Sequence, residues 1–409
     1  MNRTESSASA ISPDSPLEML KVIFTLDYEI HGNGEGSPRK LMIEPTQRIL
    51  RLFDKYGAKL TIMADTAEIL KFKEYAEQHK MDDYNYGGIV SQLRDAVVRG
   101  HDAQLHIHAS YVNAVHDGRH WVQCWEDYDF ANLSLDRMTG MIRQGKEFLE
   151  SILRPVNSGY RCFVFRAANW SVSPSANVVK ALQDNGFKIE TSIFKYGRRD
   201  GIVNFDYSGA YSNLVPWRAS EDDLCVRDDG GKLWEFPIYS ENRWIGAFLT
   251  PNRVFRVAQS RTHAHPVDLV MAEATHPAGP ARKRTLLDRV TFLAKGHAWK
   301  ADFNQCTGRQ LIGALLRAER QASLISGDIP FVLIGHSKLF NSLNERSLRP
   351  FLEFVAQNNE RFRFETFGCF QEKIEHRNYL ADRNIPGASP IVYTAPIGIQ
   401  RSHASVTSG

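Results

Sequence analysis

Apolar positions fall into short β-forming runs separated by amphipathic stretches, and the two alternate from about residue 22 to residue 367. Val22, Ile23, Phe24 and Leu26 form one such run and predict a buried strand. Residues 43–56 follow with Ile43, Ile49, Leu50, Leu52 and Phe53 on one stripe and Gly57 placed to cap the end, which predicts a helix. Residues 59–64 (KLTIMA) are a second strand, a helical region ends in the amphipathic stretch 89–99, and residues 103–108 (AQLHIH) are a third strand. The rhythm resumes with a helix at 135–153, a strand at 162–167 and a helix opened by Ser173-Pro174-Ser175 that runs to about Asn185. Strands are predicted at 188–194, at 232–239, where Pro237 marks an edge or a strand end, and at 329–335 (IPFVLIG). Helices at 307–323 and 349–357 and a strand at 361–367 complete the pattern.

Alternating strands and helices predict parallel βαβ units of an α/β protein, either a barrel or a doubly wound sheet. No internal repeat of fixed period is present. Residues 241–305 break the rhythm, with a basic stretch at 281–284 and several Pro and His, and read as an insertion over one face. Residues 1–18, rich in Ser and Pro, and 384–409 read as loose tails, so that residues 19–383 are expected to form one domain.

Composition narrows the function classes. At 43% hydrophobic and 24% charged residues the chain is an ordinary soluble globular sequence, and its net charge of +3 gives no case for nucleic acid as a partner. Five cysteines, odd in number and without a CxxC pair, argue against a disulfide framework. The first residues lack a signal-peptide core, and no apolar run approaches the roughly 20 residues of a membrane helix. A cytoplasmic location is therefore expected.

Polar residues then fall where chemistry is expected. Asp27, Glu29 and His31 alternate at the end of the first strand, so they share a face, and Gly32, Gly34 and Gly36 open a loop after them. His106 and His108 end the third strand, Arg166 the next, and His336 the last strongly apolar one. Carboxyl ends of parallel strands converge on one mouth, so these residues can meet there. His106 and His108, two apart on a strand, face the same way and can share a metal. Glu29 or Asp27 would supply a third ligand and leave a position for water, the layout of a catalytic metal site. His101 precedes the third strand and belongs to the opposite, structural face. His116 and His120 lie in the next loop as candidates to line the mouth, and His263, His265 and His276 read as surface residues of the insertion. No GxxxxGK[ST] phosphate loop is present.

Five motifs, in order, resemble those of the NodB-type polysaccharide deacetylases, the family 4 carbohydrate esterases, in the branch found with surface-polysaccharide biosynthesis. They are FTLDYE at 24–29, GHDAQLHIHASY at 100–111, FRAANW at 165–170, WEFP at 234–237 and LIGHSK at 333–338. The resemblance implies a distorted (β/α) barrel of about seven parallel strands. It implies a divalent metal, zinc, on Glu29, His106 and His108. Asp27 would be the base, His336 the proton donor to the departing amine, and Arg166 the group that keeps Asp27 ionised. Asn169, Trp170 and Trp234 would contact the sugar. The implied partner is a carbohydrate or glycan precursor, and the products are an amino sugar and acetate. Two departures stand out: Tyr28 separates two acids that are adjacent in the usual motif, and Ser110 replaces the second histidine of the usual i, i+4 pair. They motivate an alternative, a non-catalytic carbohydrate-binding or assembly protein that keeps the barrel without the metal.

Overall fold

The computed structural model describes residues 19–30, 34–254, 295–323, 325, 327–375 and 379–380. The two expected tails, His31 and Gly32 of the first loop, the basic stretch 281–284, and His263, His265 and His276 lie outside these residues.

Among the described residues nine strands make up the main sheet: β1 (Leu20–Tyr28), β2 (Leu60–Asp65), β3 (Asp102–Ile107), β4 (Val164–Ala167), β5 (Ile189–Glu190), β6 (Trp217–Arg218), β7 (Trp234–Glu235), β8 (Ile329–His336) and β9 (Phe362–Phe364). Their order is β6-β7-β5-β4-β3-β2-β1-β8, with β9 paired to the start of β1. All these pairs are parallel except β6 with β7. The expected set of about seven parallel strands is thus a mixed sheet of nine. Parallel bridges from Ile238 to Val332 and from Asp302 to Ile334 bring the far edge back to β8 and curl the sheet into a half-barrel.

Helices α1 (Glu44–Tyr56), α2 (Thr66–His79), α3 (Tyr86–Val98), α4 (Leu135–Leu153), α5 (Ala176–Asp184), α6 (Gly308–Ala322) and α7 (Ser342–Gln357) fill the crossovers. Every residue of β1 is buried, which is why its sequence runs nearly all apolar up to Asp27. On its helix side Phe24 packs against Phe53, Phe303, Phe351 and Phe364. Where α4 crosses β3 the contact is so close that a Cβ on Gly145 would meet Thr66 and Leu105.

Three expectations shift for local reasons. The strand expected at 188–194 is regular only at Ile189–Glu190; beyond it single backbone bonds continue, and the Thr191 carbonyl accepts from Arg166 Nε. The last helix starts at Ser342, not at 349, because Asn341 and Asn344 form a reciprocal cap, and Pro350 is tolerated within it. The insertion leaves and returns as an antiparallel ladder, Ser240–Arg243 with His297–Lys300, which delivers Lys300 to the mouth.

Candidate active site

Strand register assembles the mouth. Asp27 of β1 sits opposite His336 of β8, while Asp65, His106 and Arg166 line up across β2, β3 and β4. The alternation at the end of β1 turns Tyr28 the other way, where its hydroxyl donates to Gln92 Oε1 at 2.8 Å. Asp27 and Glu29 share the inner side, both buried.

Glu29 Oε2 lies 3.4 Å from His106 Nε2 and 3.2 Å from His108 Nδ1. Ligand atoms of these three residues all fall within 4.8 Å of one another. His106 Nδ1 donates to the Arg166 carbonyl at 2.9 Å, which leaves Nε2 as the lone pair facing Glu29. His108 is held by Asp65, whose Oδ2 is 2.8 Å from Nδ1 and whose Oδ1 accepts the His108 backbone N–H. Lys338 Nζ stands 2.7 Å from Glu29 Oε1 and donates to the Ile30 carbonyl at 2.9 Å. Burial alone would raise the Glu29 pKa, but Lys338, His108 and His106 outweigh it and hold the carboxyl well below its usual range. Burial would lower His108, yet Glu29 and Asp65 more than offset it and raise its pKa. Glu29 Oε2 is nonetheless buried without a hydrogen-bond partner. The orphaned Glu29 oxygen and the His106 Nε2 lone pair fit a divalent cation that takes mixed N and O ligands, and His108, whose Nδ1 is taken by Asp65, would offer Nε2 to it.

The second half of the site is a buried cluster of Asp27, Arg166 and His336. Arg166 is fully buried; its Nη1 is 3.0 Å from Asp27 Oδ1 and 2.7 Å from Thr25 Oγ1, and its Nε donates to the Thr191 carbonyl at 2.9 Å. Burial pushes the Asp27 pKa up, and Arg166, His106 and His336 together bring it below the usual value. His336 Nε2 lies 3.4 Å from Asp27 Oδ2. Its pKa is lowered by burial, against the pull of Asp27 and Glu29, so the ring rests neutral at neutral pH.

The remaining sequence candidates separate. Asn169 and Trp170 occupy the turn after β4, both at φ 55, and the Trp170 ring centroid is 6.4 Å from that of His336. Trp234, expected to contact the sugar, is not brought to the mouth: it is buried on the outer side of β7, with its indole N–H on the Ile374 carbonyl and its ring against Tyr379. Its neighbour Glu235 is the inward residue, as period two requires. His101 lies at the far end, bonded to the Leu60 N–H and Asp54. His116 pairs with Tyr84 at 2.7 Å and His120 with Asp117, and neither joins the cluster. Ser110 is buried and donates to Gln123 Oε1 at 2.7 Å.

Sequence reasoning missed Asp65, Lys338 and Lys300. Asp65 directly follows the apolar run KLTIMA and carries the same strand-end signal as Asp27, His106 and His336. Lys338 closes the LIGHSK motif.

The sequence matches no protein-family model and no curated protein. Solved structures that it resembles include a protein from Mycobacterium smegmatis assigned as a polysaccharide deacetylase (14% identity over 96% of this chain and 99% of that one, TM-score 0.45). Others are a GH57 branching enzyme from Thermococcus kodakaraensis (11% identity, 86% and 71% covered, TM-score 0.43) and a family 4 acetyl xylan esterase from Clostridium thermocellum (18% identity, 43% and 60% covered, TM-score 0.25). No described helix is long and apolar enough to cross a membrane.

Proposed function

We propose that this protein is a cytoplasmic, metal-dependent hydrolase that removes an N-acetyl group from a sugar of a surface-polysaccharide precursor, giving an amino sugar and acetate. The observation that carries the reading is the orphaned Glu29 Oε2 between His106 and His108, set beside the Asp27–Arg166–His336 cluster. Zinc held by Glu29, His106 and His108 would polarise the amide carbonyl and make a water acidic enough to ionise near neutral pH. Asp27, kept ionised by Arg166, would act as the base that takes a proton from the attacking water. The 3.4 Å contact between Asp27 and His336 lets the proton pass to the neutral imidazole. His336 then delivers it to the departing amine, so the proton lost by the water ends on the amino sugar. Asp65 keeps His108 in orientation, and Arg166 orients both Asp27 and, through its carbonyl, His106.

Incubation of the purified protein with N-acetylated sugar precursors and Zn or Co should release acetate. No acetate from any of them, together with no metal in the purified protein, rules the reading out.

One contact favours a second reading. Lys338 already places an ammonium on Glu29, and Ser110 stands where the resemblance expects a second histidine. A carbohydrate-binding protein without a metal would look like this, and elemental analysis separates the two.

A further inference from the structure

The mouth holds hydrogen-bond donors that the proposed hydrolysis leaves unused. Lys300 Nζ lies 3.3 Å from the centroid of the Trp170 ring and 4.2 Å from that of Phe194, so two aromatic faces hold the amine. The ion pairs of the mouth, Asp27 with Arg166 and His336 and Glu29 with Lys338, leave Lys300 out. Around it, Asn169 Nδ2, Trp170 Nε1 and Asn304 Nδ2 are buried atoms without hydrogen-bond partners. These groups form one neighbourhood: Asn169 precedes Trp170, Trp170 faces His336, and Asn304 Oδ1 accepts the His336 backbone N–H at 2.6 Å. Each unsatisfied buried donor carries a desolvation cost, and a ligand rich in acceptor oxygens relieves it.

Charge points the same way. Burial is the largest influence on Lys300; Asp302 and Asp27 stabilise its ammonium, Arg166 and Arg253 oppose it, and the balance brings its pKa down to about 7. The amine is thus partly protonated near neutral pH, and an arriving anion would draw a proton onto it. The orphaned N–H groups can only donate, so acceptor oxygens satisfy them and a cation or a neutral apolar group does not.

We propose that Lys300, with the free N–H groups of Trp170, Asn169 and Asn304, is a subsite for an anionic substituent on the sugar, a carboxylate or a phosphate. This rests on the deacetylase reading and narrows its substrate to acidic sugars. Oxyanion oxygens would accept from the Lys300 ammonium and from unpaired N–H groups of this neighbourhood, and the rings of Trp170 and Phe194 exclude water from the Lys300 contact.

The test uses the full chain and three probes: N-acetylglucosamine, N-acetylglucosaminuronic acid and N-acetylglucosamine 1-phosphate. Binding is measured by tryptophan fluorescence and saturation-transfer NMR, and acetate release is measured in parallel with Zn present. At least one anionic probe should bind about tenfold or more tighter than the neutral sugar, as a charge-assisted hydrogen bond implies. Which of the two it is identifies the carboxylate or the phosphate. In Lys300→Met the anionic-to-neutral affinity ratio should fall towards one, and Lys300→Arg should restore it. Equal binding of charged and neutral probes, no binding of either anion, or an unchanged ratio in Lys300→Met overturns the subsite. Acetate release with an unchanged ratio would overturn it and leave the deacetylase standing. Lys300-dependent anion binding without acetate release would do the reverse.

Discussion

Replacing Arg166 with Met removes a charge while keeping most of the side-chain volume, so it isolates electrostatics from cavity formation. In the native protein the guanidinium is fully buried and bonds Asp27 Oδ1 at 3.0 Å, Thr25 Oγ1 at 2.7 Å and the Thr191 carbonyl at 2.9 Å. The variant leaves a carboxylate only 4% exposed without its cation. Breaking one side of a buried pair costs about 3–5 kcal/mol, against a total stability on the order of 5–15 kcal/mol. The sign of the pH dependence follows from Asp27. Its pKa in the native fold is lowered, so it contributes stability above the unfolded-chain pKa, and that contribution is lost as pH falls through the folded value. Without Arg166 burial dominates and the folded pKa rises above the unfolded one. The penalty is then absent below the unfolded pKa and grows as pH rises through the folded pKa. The stability gap between the two proteins should therefore narrow on acidification from about pH 8 to about pH 5. Urea unfolding followed by tryptophan fluorescence reads the gap, and Asp27→Asn in the Arg166→Met background should recover part of it. A loss under about 1 kcal/mol, or a gap that widens on acidification, refutes the reasoning.

Three further outcomes follow from single contacts. Asp65→Asn removes the acceptor that orients His108 and should weaken metal affinity about 10–100-fold in a chelator competition; a change below about threefold would remove Asp65 from that role. Asp102, at the start of β3, has its pKa pushed up to about 7 by burial, against the Gln104 and Ala103 donors. A raised carboxyl contributes stability below its unfolded pKa and loses it as pH rises to about 7, so Asp102→Asn should raise Tm more at about pH 8 than at about pH 5. A Cβ on Gly335 would collide with the Phe303 ring, so Gly335→Ala should cost about 1–3 kcal/mol, and an unchanged Tm would contradict the packing at the end of β8.

Period-two alternation made the centre of the site legible. It put Asp27 with Glu29 and His106 with His108, and the convergence of parallel strand ends brought Arg166 and His336 to them. The same rule, applied one residue further, separates inward Glu235 from outward Trp234, and applying it to WEFP would have withheld Trp234 from the sugar. Asp65 was lost because a polar residue after an apolar run reads as a terminator as readily as a ligand holder. Lys338 and Lys300 were lost for a different reason. A lysine in a turn or an insertion reads as solvated, and only the three-dimensional return of 297–300 to the mouth sets Lys300 on Trp170. Short strands such as Ile189–Glu190 carry too little periodicity to be bounded, and the curl of the sheet depends on isolated bridges that no local pattern encodes.

Glu29, His106 and His108 are proposed to hold a metal beside Asp27. Elemental analysis of the full-length protein after purification without chelators, repeated on His106→Ala, tests it directly. About one zinc or other divalent ion per chain is expected in the native protein and its loss in the variant, with the fold retained by circular dichroism. No metal in the native protein after Zn loading, or equal metal in His106→Ala, would contradict it.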